Sequence, residues 1–175
     1  MTEVFVSSFF IISVMTDDRP GLVETLSTII KNHNGNWLES RMAQLAGKFA
    51  GIVRIQVSDN QKDALEKDLL ELRSKGWVIS LEASQAESTE KRAGAMLSIV
   101  GNDRPGIVKD VAQVLAAKGV NVLELNTKFE SAAMSAEPLF KTQAQIEIPA
   151  SIEFDELKDS LENLSNDLMV EITKA

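Results

Sequence analysis

The sequence predicts an α+β fold built from two similar modules, and two observations support this prediction. The tetrapeptide Asp-Arg-Pro-Gly occurs at 18–21 and again at 103–106, each time between a buried-strand pattern and an amphipathic-helix pattern. The offset of 85 residues persists downstream, where Asn-Trp-Leu-Glu at 36–39 aligns with Asn-Val-Leu-Glu at 121–124. Because a turn repeated by chance would not stay in register this far, we interpret the chain as a duplicated unit.

The first unit shows strands and helices in a clear order. Residues 9–14 predict a buried strand, and apolar residues then recur at helical spacing until Asn34-Gly35. Residues 37–45 and 49–57 predict a hairpin, and 77–81 the last strand. A second helix is predicted from about Asn60 to Gly76. The expected buried helix positions are Leu22, Val23, Leu26, Ile29 and Ile30 in the first helix and Leu65, Leu69 and Leu72 in the second.

The second unit repeats this order. Strands are predicted at 95–100, 120–129, 139–148 and 169–172, with one helix ending at Gly119 and another capped by Ser151. Each unit is therefore βαββαβ. Right-handed crossovers place both helices on one face of a four-stranded antiparallel sheet, the ferredoxin-like arrangement. The predicted modules are 1–84 and 93–175, joined by a polar linker at 85–92.

The two copies differ most in the hairpin loop. Aligning Arg54 with Gln143 raises the offset from 85 to 89 and predicts about four extra residues around 133–138. Loop tips tolerate insertions, so the extra residues are either neutral or a contact surface for a partner.

The composition excludes several classes of protein. The apolar fraction of 44% is typical of a globular protein. The sequence contains no run of about 18 apolar residues, so it predicts no membrane-spanning helix. The absence of cysteine excludes disulfides and thiolate chemistry, and the net charge of −8 without a basic cluster disfavours direct nucleic-acid binding. We expect no signal peptide and a cytoplasmic location.

The Asp-Arg-Pro-Gly turn suits the start of a helix. Pro20 lacks an N–H and fits a first helical turn, while Asp18 can accept unpaired backbone N–H groups. Gly21 has no Cβ, so a ligand can approach closely. A ligand carboxylate would meet the N–H groups of Gly21 and Leu22 and the positive end of the helix dipole.

An asparagine begins the next strand in both copies, at Asn36 and Asn121. It either serves the preceding turn or contacts a ligand. The Asp-Arg-Pro-Gly-(Leu/Ile)-Val segment, with this asparagine inside a βαββαβ order, resembles the ACT domain, a small-molecule sensor module of amino-acid metabolism. Two such modules over about residues 8–173 resemble the glycine cleavage system transcriptional repressor family.

The resemblance implies a glycine-responsive repressor that contacts a transcription activator rather than DNA. Amino-acid-binding ACT modules hold the ligand between two modules. Serine-binding relatives carry Asn where this chain has Asp18 and Asp103, and an aspartate there can pair with a ligand ammonium group. No cofactor, metal or catalytic residue is implied. The implied ligand-binding residues are Asp18, Pro20, Gly21, Leu22 and Asn36 in the first module and Asp103, Pro105, Gly106, Ile107 and Asn121 in the second.

Other interpretations stay open. The chain could be a stand-alone ACT regulatory subunit of an amino-acid enzyme, or an enzyme using Asp18 and Asp103 as acid and base, although no nucleophile–base spacing is recognisable. RNA binding and a metal at Asp17-Asp18 are disfavoured. His33 has no cysteine, second histidine or acid at metal-ligand spacing, and we expect it to be an exposed surface residue. Unpaired sheet edges favour a homodimer.

Overall fold

The structure, a computed structural model, describes residues 7–84, 92–131 and 138–174. These residues form two compact units. The first has a four-stranded antiparallel sheet in the order β2-β3-β1-β4, with two helices and a short 3₁₀ turn. Its elements are β1 (Ser7–Asp17), α1 (Leu22–Asn32), β2 (Asn36–Leu45), β3 (Lys48–Ser58), α2 (Asp59–Glu71), the 3₁₀ turn (Leu72–Lys75) and β4 (Val78–Ala83).

The second unit repeats this topology, with an antiparallel sheet in the order β6-β7-β5-β8. The α+β, ferredoxin-like prediction is confirmed for both modules. The predicted linker falls almost entirely on 85–91, outside the described residues. The elements of this unit are β5 (Arg92–Asn102), α3 (Ile107–Ala117), β6 (Asn121–Ser131), β7 (Pro138–Pro149), α4 (Phe154–Glu162) and β8 (Met169–Lys174).

Each module has its own core, formed where its two helices cover one face of its sheet. In β1 the buried side chains alternate at Phe10, Ile12 and Val14, as expected for a strand with one covered face. Along α1 they recur at helical spacing, at Leu22, Leu26 and Ile30. The predicted Leu65, Leu69 and Leu72 are also buried. Val23, by contrast, is 49% exposed, so its predicted burial is wrong.

The pairing of the strands corrects the predicted length of the second hairpin. Arg54 pairs with Ile11, and the residue 85 positions after Ile11, Met96, pairs with Gln145. The offset is therefore 145 minus 54, or 91, and the second copy is six residues longer rather than about four. The loop residues 132–137 lie outside the described residues.

The predicted cap of the last helix is also wrong. The residue before α4 is Glu153, which has an extended backbone and makes no side-chain capping hydrogen bond. Ser151 lies in the turn that precedes it. The helix therefore starts with Asp155 and Glu156 in its first turn, where acidic side chains interact favourably with the helix dipole.

His33 connects the two helices of the first module. Its Nε2 atom lies 2.8 Å from Oδ2 of Asp68 on α2, and its side chain is only 12% exposed. The expectation of an exposed histidine is therefore wrong. The pair fixes the end of α1 against α2.

We expect His33→Ala to lower the free energy of unfolding of the first module by about 1 kcal/mol, because a partly buried hydrogen bond is lost. Urea unfolding followed by tryptophan fluorescence measures this, since both tryptophans, Trp37 and Trp77, belong to the first module. Asp63→Ala on the same helix is the control, because the Asp63 side chain is 96% exposed. Equal losses in the two variants would contradict the role of the pair.

Candidate functional site

The two Asp-Arg-Pro-Gly loops adopt the same conformation. Gly21 precedes α1 with φ of 88°, and Gly106 precedes α3 with φ of 89°. Both values lie in the left-handed region, which glycine enters without the steric cost of a Cβ. The glycine of the repeat is thus required by the backbone in both modules.

Neither helix start has a side-chain cap, so the prediction that Asp18 caps α1 is wrong. Pro20 was predicted to lie in the first helical turn. Instead, Pro20 and Pro105 each precede the capping glycine and lie outside the helix. The N–H groups of each first turn therefore have no side-chain acceptor. Apart from the Ile107 N–H, which donates to the Arg104 carbonyl, they are available to an anion, together with the positive end of the helix dipole.

The aspartate of each loop is held by its backbone and not by its side chain. The Asp18 N–H donates to the Gly47 carbonyl at 2.9 Å, and the Asp103 N–H donates to the Pro138 carbonyl at 3.0 Å. Both aspartates are exposed. Neither carboxylate contacts a hydrogen-bond or ion-pair partner within the described parts of the chain. Each loop thus presents an unengaged carboxylate beside an uncapped helix start.

The charges beside the two helix starts differ. Glu24 lies in the first turn of α1, whereas Lys109 occupies the equivalent position of α3. Arg104 pairs with Asp110 at 2.7 Å, which neutralises that acidic residue. An anion therefore meets a more positive environment at α3 than at α1.

Different contacts hold the two loops. In the first module, Lys48 donates a hydrogen bond to Asp17, and this bond and the Lys48 charge hold the pKa of Asp17 below its usual value. In the second module, Asp167 accepts from the Ser165 hydroxyl and, at 2.9 Å, from the Asn102 N–H. These two hydrogen bonds lower the pKa of Asp167.

We expect Lys48→Met to raise the pKa of Asp17 toward its usual value, because the hydrogen bond and the attraction are both lost. A carboxyl-carbon NMR titration measures this shift. A lowered folded-state pKa stabilises the protein above the unfolded pKa, and this stabilisation is lost as pH falls through the folded value. Glu130, whose pKa Lys141 lowers in the second module, is the internal control and stays low. An unchanged Asp17 pKa would contradict the pairing.

The predicted asparagines lie far from the loops of their own modules. Asn36 begins β2 and pairs with Gln56, which pairs in turn with Phe9. Asp17 is eight residues further along β1 than Phe9, so about 26 Å separates the two ends of the sheet. Asn121 begins β6 in the same way, and its side chain approaches Glu147 at 3.5 Å. One module alone does not bring its loop and its asparagine together.

Leu22 and Ile107, the remaining predicted site residues, are buried and belong to the two cores. Their side chains are not available to a ligand, although their backbone lies at the helix start. The Ile107 N–H already donates to the Arg104 carbonyl at 3.3 Å. Among the described residues, no group of three or more His, Cys, Asp or Glu side chains has the geometry of a metal site.

The chain belongs to the ACT domain family. One ACT model matches residues 8–79 and a second matches residues 89–170, so the chain contains two tandem ACT domains. No curated protein matches the sequence significantly. Within the described residues, no helix has the length and apolar character needed to cross a membrane.

Two crystal structures match this chain over nearly its full length. An unknown protein from Galdieria sulphuraria is 29% identical with a TM-score of 0.82, over 97% of this chain and 99% of that one. A "putative glycine cleavage system transcriptional repressor" has a TM-score of 0.71 at 15% identity, over the same shares of the two chains. At that identity the second likeness shows the fold alone.

Proposed function

We propose that this tandem ACT protein is a non-catalytic sensor of a small amino acid, with glycine as the first candidate, and that it represses transcription by contacting an activator protein in the cytoplasm. The observation that carries the sensor proposal is the pair of uncapped helix starts, each with a left-handed glycine and an unengaged aspartate. The likeness to the repressor structure, over nearly the full length of both chains, supports the choice of glycine and of repression.

The loop offers one group for each charge of an amino acid. The first N–H groups of the helix donate hydrogen bonds to the carboxylate, as helix starts do for other anions. The carboxylate of Asp18 or Asp103 accepts hydrogen bonds from the ammonium group. A ligand with both charges close together, as in an α-amino acid, suits this arrangement.

The second module is proposed to bind more tightly than the first. The carboxylate of the ligand is repelled by Glu24 at α1, whereas Lys109 attracts it at α3. Such interactions with charges in a first helical turn typically contribute about 0.3–1 kcal/mol each. Glu24→Lys is therefore the variant that should make the two modules more alike.

A complete site needs two modules. Because Asn36 lies at the opposite end of its sheet from Asp18, a ligand that contacts both kinds of residue must lie between modules. The second module is supplied either by the same chain or by the other chain of the proposed homodimer. Binding would then change how modules associate, and a coupling of about 1–3 kcal/mol is enough for a regulatory switch.

Isothermal titration of the full chain with glycine, alanine and serine tests the sensor proposal. We expect heat with at least one of them, and the absence of heat with all three would overturn it. A pull-down with and without that amino acid tests the partner. Recovery of a transcription activator supports the repressor, whereas recovery of an amino-acid enzyme identifies a regulatory subunit instead.

A further inference from the structure

A small apolar cavity of about 50 Å³ lies inside the second module, between α3 and the edge strand β6. Val108 and Ala112 of α3 form one wall, and Val122, Leu125 and Thr127 of β6 form the other. The mouth is open to solvent, since Val122 is 39% exposed and Leu125 is 50% exposed.

The floor of the cavity contains one polar side chain, Thr142 of β7. Thr142 pairs with the fully buried Ile99 on one side and with Thr127 on the other, so its side chain points to the helix-covered face. It is 4% exposed, and its hydroxyl has no hydrogen-bond partner in the described parts of the chain. A buried hydroxyl without a partner is unfavourable, so a ligand that bonds to it recovers this free energy.

The first module fills the same space with its own side chains. By the offsets of the repeat, Met42 takes the position of Thr127, Trp37 that of Val122, and Gly51 that of Thr142. Met42 and Trp37 pack partly buried against the first core. A Cβ at Gly51 would lie 2.6 Å from Met42 Cγ, so the methionine lies directly over the glycine. In the first module, Met42 therefore occupies the space beside Gly51 that lies open beside Thr142 in the second.

We propose that this cavity binds a small, mainly aliphatic molecule that carries one hydroxyl or carbonyl oxygen, and that this oxygen hydrogen-bonds to Thr142. In the first module, the end of the Met42 side chain fills the equivalent space. Because that segment is short and unbranched, we expect the ligand to have a short unbranched chain as well. Such small ligands bind weakly, in the range of about 1 mM. The site is separate from the two Asp-Arg-Pro-Gly loops, and the proposal does not depend on amino-acid sensing.

Methyl NMR of the full chain, labelled at isoleucine, leucine and valine, tests the proposal with ethanol as the probe, which is small enough for a cavity of about 50 Å³. We expect saturable shifts at Val108, Val122 and Leu125 and none in the first module. Ethylene glycol at the same concentrations controls for a solvent effect and should shift none of them. Shifts with ethanol that do not saturate, or that spread evenly over both modules, would overturn the proposal.

Two pairs of variants locate the ligand. Thr142→Val keeps the shape of the side chain but removes the hydroxyl, and should weaken ethanol binding about tenfold. Thr16→Val, the same change at another buried threonine, should leave binding unchanged. Ala112→Leu should fill the cavity and abolish the saturable shifts, whereas Gln113→Leu, at an exposed position of α3 that does not line the cavity, should not. Unaltered binding in Thr142→Val or in Ala112→Leu contradicts the assignment.

Discussion

Replacing Gly51 with alanine is expected to lower the free energy of unfolding of the first module by about 3 kcal/mol. The added Cβ would overlap the Arg41 carbonyl oxygen and lie 2.8 Å from Met42 Cα, both in the backbone of β2. These atoms belong to a paired strand and cannot move aside as a flexible side chain can. The two strands must therefore separate at this point. Tryptophan fluorescence during urea unfolding reports the change, because both tryptophans lie in this module.

Gly47→Ala is the matched control in the same hairpin. Gly47 has φ of 79°, and no atom lies within 4 Å of a Cβ built there. Only the left-handed backbone is unfavourable for alanine, which costs about 1 kcal/mol. If Gly51→Ala and Gly47→Ala lower the free energy of unfolding by the same amount, the close contact between the strands is not the reason for glycine at position 51.

Changing both Asp18 and Asp103 to asparagine is expected to weaken amino-acid binding about 10- to 100-fold. Each carboxylate is proposed to accept hydrogen bonds from the ligand ammonium group, and a bond to a charged group contributes more than a neutral one. Isothermal titration measures the affinity. Because both side chains are exposed and unengaged within the described residues, unfolding in urea should be unchanged.

The single variants separate the two modules. Asp103→Asn should reduce affinity more than Asp18→Asn, because the charges beside α3 favour the ligand carboxylate more than those beside α1. Asp63→Asn, at an exposed position of α2, controls for the change in net charge. Full affinity in the double variant would show that the ammonium group is bound elsewhere.

The order of helices and strands was predictable because each change of direction is signalled locally. Gly76 and Gly119 end helical segments with φ of 86° and 66°, a conformation that other residues rarely adopt. The length of the second hairpin was not predictable. Arg54 can be aligned with Gln143 or with Gln145. Both alignments keep the same side chains facing the core, because the two positions differ by two residues, the period of a strand. Only the pairing of the strands distinguishes them.

The site was predictable in part. The repeated glycine marked both loops, but its sequence interpretation was the close approach of a ligand, whereas the structure shows that a left-handed φ also requires it. The side-chain contacts were missed because they depend on packing between elements that are distant in sequence. Asp68 is 35 residues from His33, and their contact follows from how α1 lies on α2. The cavity of the second module was missed for the same reason, since it appears only when Thr127 and Thr142 are seen side by side.

About 26 Å separates the loop from the asparagine in one sheet, so the proposed sensor needs a second module to complete its site. Its response to dilution depends on which polypeptide supplies that module. If the paired modules come from one polypeptide, the midpoint of a glycine titration is independent of how much protein is present. If they come from two polypeptides, diluting the protein moves the midpoint to higher glycine, since ligand and subunit association are then linked by mass action. A dilution series therefore reveals which modules share a ligand.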